Sequence, residues 1–212
     1  MSSPGTRQYR GVGPAERQAS RRARLLDAGL AILGSGADSA VLTVRGVCRR
    51  AGVTARYFYE SFTDKDEFVA AVFDWVVGDL AATTQAAVAS APAAEQTRAG
   101  MANIVRIIVG DPRVGRLLFS AELADPVLVR KRAESSAMLA MLYGQHLGNA
   151  LRLNENDRIR ATAHFVVGGV GQTLSAWLGG EIFLTPEQLV DQLASLLDET
   201  ADPAPYRQVP GR

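Results

Sequence analysis

The residues of this chain best suited to chemistry lie between positions 55 and 62, and their chemistry is binding rather than catalysis. In a helix over 55–61, Phe58 shares a face with Phe62, four residues further on, and both rings are predicted to pack inward. The opposite face then carries the side chains predicted to point outward: Ala55, Arg56, Tyr57 and Tyr59. A short helix with an apolar underside and an arginine and tyrosine outer face is typical of a DNA recognition helix.

A second short helix is predicted directly before this one. Thr43 is placed to cap a helix over 44–51, and Gly52 ends it, because glycine adopts the left-handed conformation without steric cost. The apolar residues of this helix fall on one face, namely Val44, Val47 and Ala51. Thr54 is placed to cap the following helix. The segment is therefore predicted to be a helix-turn-helix.

Two short helices cannot bury a hydrophobic core alone, so longer helices must pack against them. Helix 16–33 precedes them and carries leucines at helical spacing: Leu26, Leu30 and Leu33. Asp64 and Glu67 have the spacing of a capping box, which begins a long helix reaching about residue 90. That helix is the predicted mechanical link to the rest of the chain, and Cys48 is predicted to be a buried structural thiol.

The net charge of +1 hides a strong asymmetry along the chain. Residues 1–65 carry eleven basic and five acidic side chains, a net charge of +6. Residues 66–212 carry twelve basic and seventeen acidic side chains, a net charge of −5. A basic first third on an acidic remainder indicates that one end of the molecule meets a polyanion.

Every apolar segment after residue 64 has helical spacing, which predicts an all-α fold of about nine helices. The helices predicted after residue 90 are 95–109, 112–122, 126–151, 155–180 and 186–198. We predict a three-helix domain over 15–63 and a larger helical domain over 64–199. The ends, 1–14 and 200–212, are predicted to be disordered, and Arg7 and Arg10 form an arm that either is solvated or touches DNA.

Several other classes of protein are disfavoured. One cysteine excludes an internal disulfide, and the polar N-terminus lacks the apolar core of a signal peptide, so a cytoplasmic protein is expected. His146 and His164 have no partner at metal-binding spacing, no nucleophile has a base and an orienting group, and neither cofactor, metal nor catalytic residue is expected. The stretch 164–184 has few charges, but Gln172 and Glu181 favour a buried helix over a membrane span.

These motifs resemble the tetracycline-repressor-like (TetR) family of bacterial regulators. The resemblance rests on TVR at 43–45, RAGVT at 50–54, YFY at 57–59 and FTDK at 62–65. It covers residues 16–80 by motif, and it extends more weakly to about residue 197 by chain length and helix number. The resemblance implies a helix-turn-helix regulator that binds double-stranded DNA.

The resemblance also implies roles for individual residues. Phosphate or backbone contacts are implied for Thr43, Arg45, Thr54, Tyr59 and Lys65. Base contacts are implied for Ala55, Arg56 and Tyr57, with Arg56 as the candidate partner of guanine. Glu60 departs from the family's sequence pattern. Its carboxylate would repel DNA unless it accepts a hydrogen bond from a cytosine amino group or from an arginine.

A homodimer on a near-palindromic operator is implied as well, with a small, partly apolar effector bound in the larger domain. The resemblance pairs the last two long helices with those of the partner, and the residues expected at this interface are Gly168, Gly171, Trp177, Leu189, Leu193 and Leu196. The residues expected to line the effector pocket, for each of which ordinary core packing is the alternative, are Met101, Phe119, Met138, Met141, Tyr143, His146 and Phe165.

The favoured function is a repressor that leaves its operator when the effector binds. Two alternatives differ in class: an enzyme, which no constellation of residues supports, and an architectural DNA-binding dimer without an effector. The glycine-rich stretch 166–173 does not favour an enzyme, since it lacks the Lys-Ser/Thr of a phosphate-binding loop. A shift in DNA affinity on adding a small molecule distinguishes a regulator from an architectural protein.

Overall fold

The computed structural model describes residues 13–35, 42–154 and 156–200. Within those ranges the chain forms nine α-helices and no strand, which confirms the all-α prediction. The helices are α1 (Pro14–Leu33), α2 (Val44–Ala51), α3 (Ala55–Tyr59), α4 (Lys65–Ser90), α5 (Gln96–Gly110), α6 (Pro112–Phe119), α7 (Pro126–Leu151), α8 (Asp157–Leu178) and α9 (Pro186–Glu199), with a 3-10 turn at Ala93–Glu95. The arm with Arg7 and Arg10, and nearly all of both predicted disordered ends, lie outside the described residues.

The helix-turn-helix has the local geometry that its sequence predicts. The Thr43 hydroxyl accepts a hydrogen bond from the backbone N–H of Gly46 at 3.1 Å, which caps α2. Gly52 ends α2 in the left-handed region, at φ 63° and ψ 40°. Thr54 occupies the N-cap position of α3, but its side chain makes no capping hydrogen bond. Its hydroxyl is therefore not committed to the helix end.

A cluster of three phenylalanine rings joins α3 to α4. Phe58, Phe62 and Phe68 are buried, and their ring centroids lie 5.0–5.4 Å apart. Tilted and edge-on aromatic pairs of this kind add about 0.5–1.5 kcal/mol each beyond the area they bury. Cys48 lies in the same core, and burial raises the pKa of its thiol, as expected of a structural cysteine.

The hydrophobic core does not stop at the end of α3. It continues from α1–α3 through Val72 and Phe73 of α4 to Leu117 of α6 and Leu128 of α7. Helix α1 approaches α4 closely at Gly29, where an added Cβ would lie 2.6 Å from the side chain of Phe68. The division at residues 63 and 64 stays a prediction, since one core runs across it.

Helix α6 is shorter than predicted, because it ends at Phe119 instead of residue 122. The guanidinium of Arg132, on α7, donates hydrogen bonds to the carbonyl oxygen of Leu117 at 2.7 and 3.0 Å and to that of Leu123 at 3.0 Å. The Leu117 carbonyl, in the last turn of α6, is thereby satisfied by a side chain, so the helix does not need to continue.

Helix α8 is buried along one face only, whereas residues 164–184 were predicted to form a buried helix. Ile159, Ala163, Val166 and Leu174 are buried, whereas Phe165 is exposed. Across the described helices, none combines the length and apolarity that crossing a bilayer requires.

Replacing Gly52 with alanine is expected to lower the free energy of unfolding by about 1–2 kcal/mol, because an L residue is strained at positive φ. Gly78 is the matched control, since it is exposed within α4 and has no atom within 4 Å of an added Cβ. Gly78→Ala is expected to raise the free energy of unfolding by roughly 0.5–1 kcal/mol. Urea unfolding of both variants at one protein concentration measures the difference, and a loss of stability in both would contradict it.

Candidate nucleic-acid interface

The outer face of α3 presents the predicted recognition residues to solvent. Ala55, Arg56 and Tyr59 are exposed, and the side chain of Arg56 retains 84% of its accessible surface. Phe58 lies beneath them in the core, with its ring edge-on to that of Tyr59 at 5.4 Å. The solvent-exposed face of α3 is therefore formed by the guanidinium of Arg56, the phenol of Tyr59 and the methyl group of Ala55.

Tyr57 is half-buried and only partly outward, because α1 holds its ring. The guanidinium of Arg21 lies over this ring, 4.2 Å from the ring centroid. A cation–π contact of this kind contributes about 0.5–1 kcal/mol at an exposed site. Arg21 therefore fixes the position of Tyr57 relative to the rest of α3.

Two more arginines of α1 contact the helix-turn-helix. Arg24 donates from Nη2 to the carbonyl oxygen of Gly52 at 2.8 Å, and the guanidinium of Arg22 lies 4.8 Å from the centre of the Phe62 ring. The arginine-rich composition of α1 was visible in the sequence, but its contacts were not. Arg21, Arg22 and Arg24 thus support the candidate interface from α1, and sequence reasoning missed all three.

Asp64 caps the start of α4, but the predicted capping box is incomplete, because the Glu67 side chain bonds to the backbone of Thr63 and not to that of Asp64. Asp64 Oδ1 accepts from the backbone N–H of Glu67 at 2.8 Å, and Glu67 Oε2 accepts from the backbone N–H of Thr63 at 2.6 Å. This bond to the Thr63 N–H is the main reason that the pKa of the Glu67 carboxyl lies below its usual value. These two hydrogen bonds fix the backbone beneath Lys65, the first residue of α4.

Exposed basic residues continue the positive surface along α2. Arg45, Arg49 and Arg50 are all exposed, and Thr43 is exposed at the N-terminus of the helix. Helix α2, α3 and the start of α4 thus combine cationic side chains with helix N-termini, both of which attract phosphate.

A polar junction connects α1 to α6. Arg116 donates from Nη1 to the carbonyl oxygen of Gly34 at 3.0 Å, and Arg113 lies 3.3 Å from the Asp27 carboxylate. Asp111 caps α6 and pairs with Arg113 at 2.6 Å, which holds the pKa of the Asp111 carboxyl below its usual value. These contacts join α6 to the C-terminal part of α1.

The seven residues expected to line an effector pocket are not brought together. Met101 and Phe119 are half-buried against the core between α5, α8 and α9, and the Tyr143 hydroxyl lies 2.6 Å from that of Thr200. The other four are exposed on α7 and α8, namely Met138, Met141, His146 and Phe165, which keeps 78% of its surface. These four occupy the outer faces of their helices, so they do not line a cavity within the chain.

A groove of about 500 Å³ lies between the N-terminal end of α5 and α9. Its charged lining consists of four carboxylates and the guanidinium of Arg98, which pairs with Asp191 at 2.8 Å. None of the seven residues predicted for the effector pocket contributes to it. The groove is open and acidic, unlike the partly apolar site that was expected.

Two of the six expected interface residues are buried within their own chain. Leu189 and Leu193 retain 0% and 2% of their accessible surface, because the apolar stripe of α9 packs against α5. Trp177 is half-buried, and its indole N–H donates to the carbonyl oxygen of Leu184 at 2.8 Å. Gly168 and Gly171 face open space, and Leu196 is exposed.

Solved structures match this architecture over most of its length. The fatty acid degradation regulator FadR of Bacillus halodurans is similar, with a TM-score of 0.70 at 15% identity, over 89% of this chain and 96% of that chain. A putative TetR-family regulator from Rhodococcus sp. is similar with a TM-score of 0.67 at 20% identity, over 87% of this chain and 100% of that chain. This chain has the TetR-family fold.

A third structure with the TetR fold, FadR of Bacillus subtilis in complex with stearoyl-CoA, has a TM-score of 0.64 at 15% identity. It covers 82% of this chain and 96% of that chain. No family model matches the sequence, and no curated protein matches it. The likeness to the TetR-fold structures therefore lies in the arrangement of helices more than in sequence.

Gly34→Ala is expected to destabilise the junction between α1 and α6. An added Cβ would lie 2.6–2.8 Å from the Cβ, Cα and carbonyl oxygen of Arg113, so the two helices would have to separate. Overpacking of this kind costs about 1–3 kcal/mol. Gly110→Ala is the control, because an added Cβ there has no atom within 4 Å. Equal thermal stability of the two variants would show that the junction yields without cost.

Proposed function

We propose that this chain is a DNA-binding transcriptional regulator that responds to a small molecule. The observation that carries the proposal is α3, a short helix anchored by buried phenylalanines whose exposed face bears Arg56 and Tyr59. The TetR fold supports it, since FadR of Bacillus subtilis is a transcriptional regulator and the Rhodococcus protein is a putative one. The simplest form of the regulator is a repressor that the effector releases from its operator.

In this proposal the interface divides into positioning and reading contacts. Arg45, Thr54, Tyr59 and Lys65 contact phosphate, with Thr43 at the helix end beside the backbone. The free hydroxyl of Thr54 and the exposed phenol of Tyr59 suit this role. The reading contacts come from Ala55, Arg56 and the accessible part of Tyr57, with the Arg56 guanidinium paired to guanine.

The proposed protein acts as a homodimer through the outer faces of α7 and α8. No charged residue occurs over 135–151 of α7 or over 161–178 of α8, although both helices are partly exposed. The exposed apolar residues on these helices include Met138, Leu139, Met141, Leu142 and Phe165. An exposed apolar surface that lacks charge is typical of an interface core, and Gly168 and Gly169 leave room for a second helix.

This face replaces the expected pairing of α8 with α9, because the main stripe of α9 is already occupied by α5. A two-fold dimer places two copies of α3 in successive major grooves, roughly 34 Å apart. The operator is accordingly a near-palindrome.

The proposed effector is a small, partly apolar molecule bound among the central helices, near Met101 and Phe119. The stearoyl-CoA bound to FadR of Bacillus subtilis makes long-chain acyl thioesters the first compounds to test. An effector that displaces α6 pulls on Gly34 and Asp27 through Arg116 and Arg113, and so changes the position of α1 beneath α3. The effector weakens DNA binding only to the extent that it prefers the displaced state.

The second candidate function is an architectural DNA-binding dimer without an effector. The same positive surface supports an architectural role, but such a role gives the contacts between α1 and α6 no function. A shift in DNA affinity caused by a small molecule favours the regulator. Unchanged affinity across acyl thioesters and a broad compound set favours the architectural protein.

Lys65→Ala is expected to weaken binding to all DNA and to reduce the slope of log affinity against log salt by about 1. The measurement is fluorescence anisotropy with DNA from upstream of the gene and with random DNA at several salt concentrations. Lys131→Ala is the matched control, since Lys131 is the only other lysine and pairs with Asp74 on α4 at 2.6 Å. An unchanged salt slope in Lys65→Ala would remove this residue from the phosphate contacts.

Phe165→Asp is expected to convert the dimer into a monomer of 22.6 kDa, because it places a charge on the uncharged face at its most exposed aromatic residue. Light scattering after size exclusion measures the mass. Val109→Asp adds the same charge at an exposed apolar residue of α5, outside this face, and is expected to remain dimeric. Dissociation of the Val109 variant alone would contradict the proposed interface.

A further inference from the structure

The recognition helix contains an ion pair of its own. Arg56 donates from Nε to Oε1 of Glu60 at 2.9 Å, one helical turn further on. Glu60 is the C-cap residue of α3, and its backbone N–H also donates to the carbonyl oxygen of Arg56 at 2.9 Å. The two residues are therefore joined through both side chain and main chain.

This pair contributes little to the stability of the fold. The Arg56 and Glu60 side chains retain 84% and 38% of their accessible surface. Exposed ion pairs at this spacing are weak, because water and salt screen them. Against a polyanion, moreover, the Glu60 carboxylate is repulsive. The role of the pair is thus better sought in DNA recognition than in folding.

The geometry of the pair leaves the reading edge of Arg56 available. The guanidinium is planar and carries five N–H donors, of which Nε supplies one. With Nε bound to Glu60, the four N–H groups of Nη1 and Nη2 remain, and two of these can donate side by side. The O6 and N7 atoms of guanine form a pair of acceptors that suits such an approach.

We propose that Glu60 is a specificity-determining positioning residue, which acts through Arg56 by fixing its guanidinium for guanine. The inference rests on the proposed function, because it requires α3 to read DNA. Fixing the guanidinium before DNA arrives reduces the side-chain freedom lost on binding. Glu60 thereby lowers affinity for DNA in general and raises the preference for guanine at one position.

The test is selection of DNA by the full-length protein from a library of randomised duplexes. The wild type is compared with Glu60→Ala, Glu60→Gln, Arg56→Ala and the double variant Arg56→Ala/Glu60→Ala. Affinity for the selected and random duplexes is then measured at two salt concentrations. Circular dichroism checks the fold, which the exposed pair is not expected to affect.

Glu60→Ala is expected to bind random DNA a few-fold more tightly, while its preference for guanine at one position falls about tenfold. Arg56→Ala loses preference at the same position, and adding Glu60→Ala to it changes that preference no further. Glu60→Gln keeps an oxygen acceptor, so it retains part of the preference.

Three results would overturn the proposal. If Glu60→Ala kept the full preference for guanine, the Arg56–Glu60 pair would be an ordinary surface contact. If Glu60→Ala lost preference at a different base pair from Arg56→Ala, Glu60 would contact a base itself. The same would follow if the losses of the two single variants added up in the double variant. No enrichment of any sequence by the wild type would overturn the proposed function along with this inference, whereas enrichment without an effect at Glu60 would overturn the inference alone.

Discussion

The packing of Phe58 and Phe62 against Phe68 is the interaction on which the rest of the structure depends. Helix α3 has only five residues, too few to be stable without tertiary contacts. The three buried rings supply those contacts and fix α3 to the first turn of α4. Because Phe68 also packs at Gly29 of α1, the same cluster determines how α3 sits relative to both long helices.

Arginine side chains refine this hydrophobic arrangement. Arg21 and Arg24 join α1 to the helix-turn-helix, and Arg113 and Arg116 join α1 to α6. Helix α1 therefore lies between the proposed reading surface and the proposed effector-responsive helices. Its two sets of polar contacts are partly exposed and individually weak, which suits an element that must shift without unfolding.

Local signals in the sequence predicted the helices well, and long-range contacts were the part that they could not predict. The caps at Thr43 and Asp64 and the turn at Gly52 depend on residues within a few positions, and all three are confirmed. The interface expected for α9 was wrong for Leu189 and Leu193, because periodicity marks an apolar stripe without saying what covers it, and α5 covers these two residues. The contact of Arg21 with Tyr57 joins residues far apart in sequence, and neither residue type specifies it.

The central claim is that α3 reads DNA as part of a two-fold dimer. Hydroxyl-radical footprinting of the full-length protein on DNA upstream of its own gene tests it most directly. The account predicts two protected half-sites with centres about 10 base pairs apart, and protection that disappears as the salt concentration rises. Protection of a single site, uniform protection along the duplex, or none at low salt would contradict it.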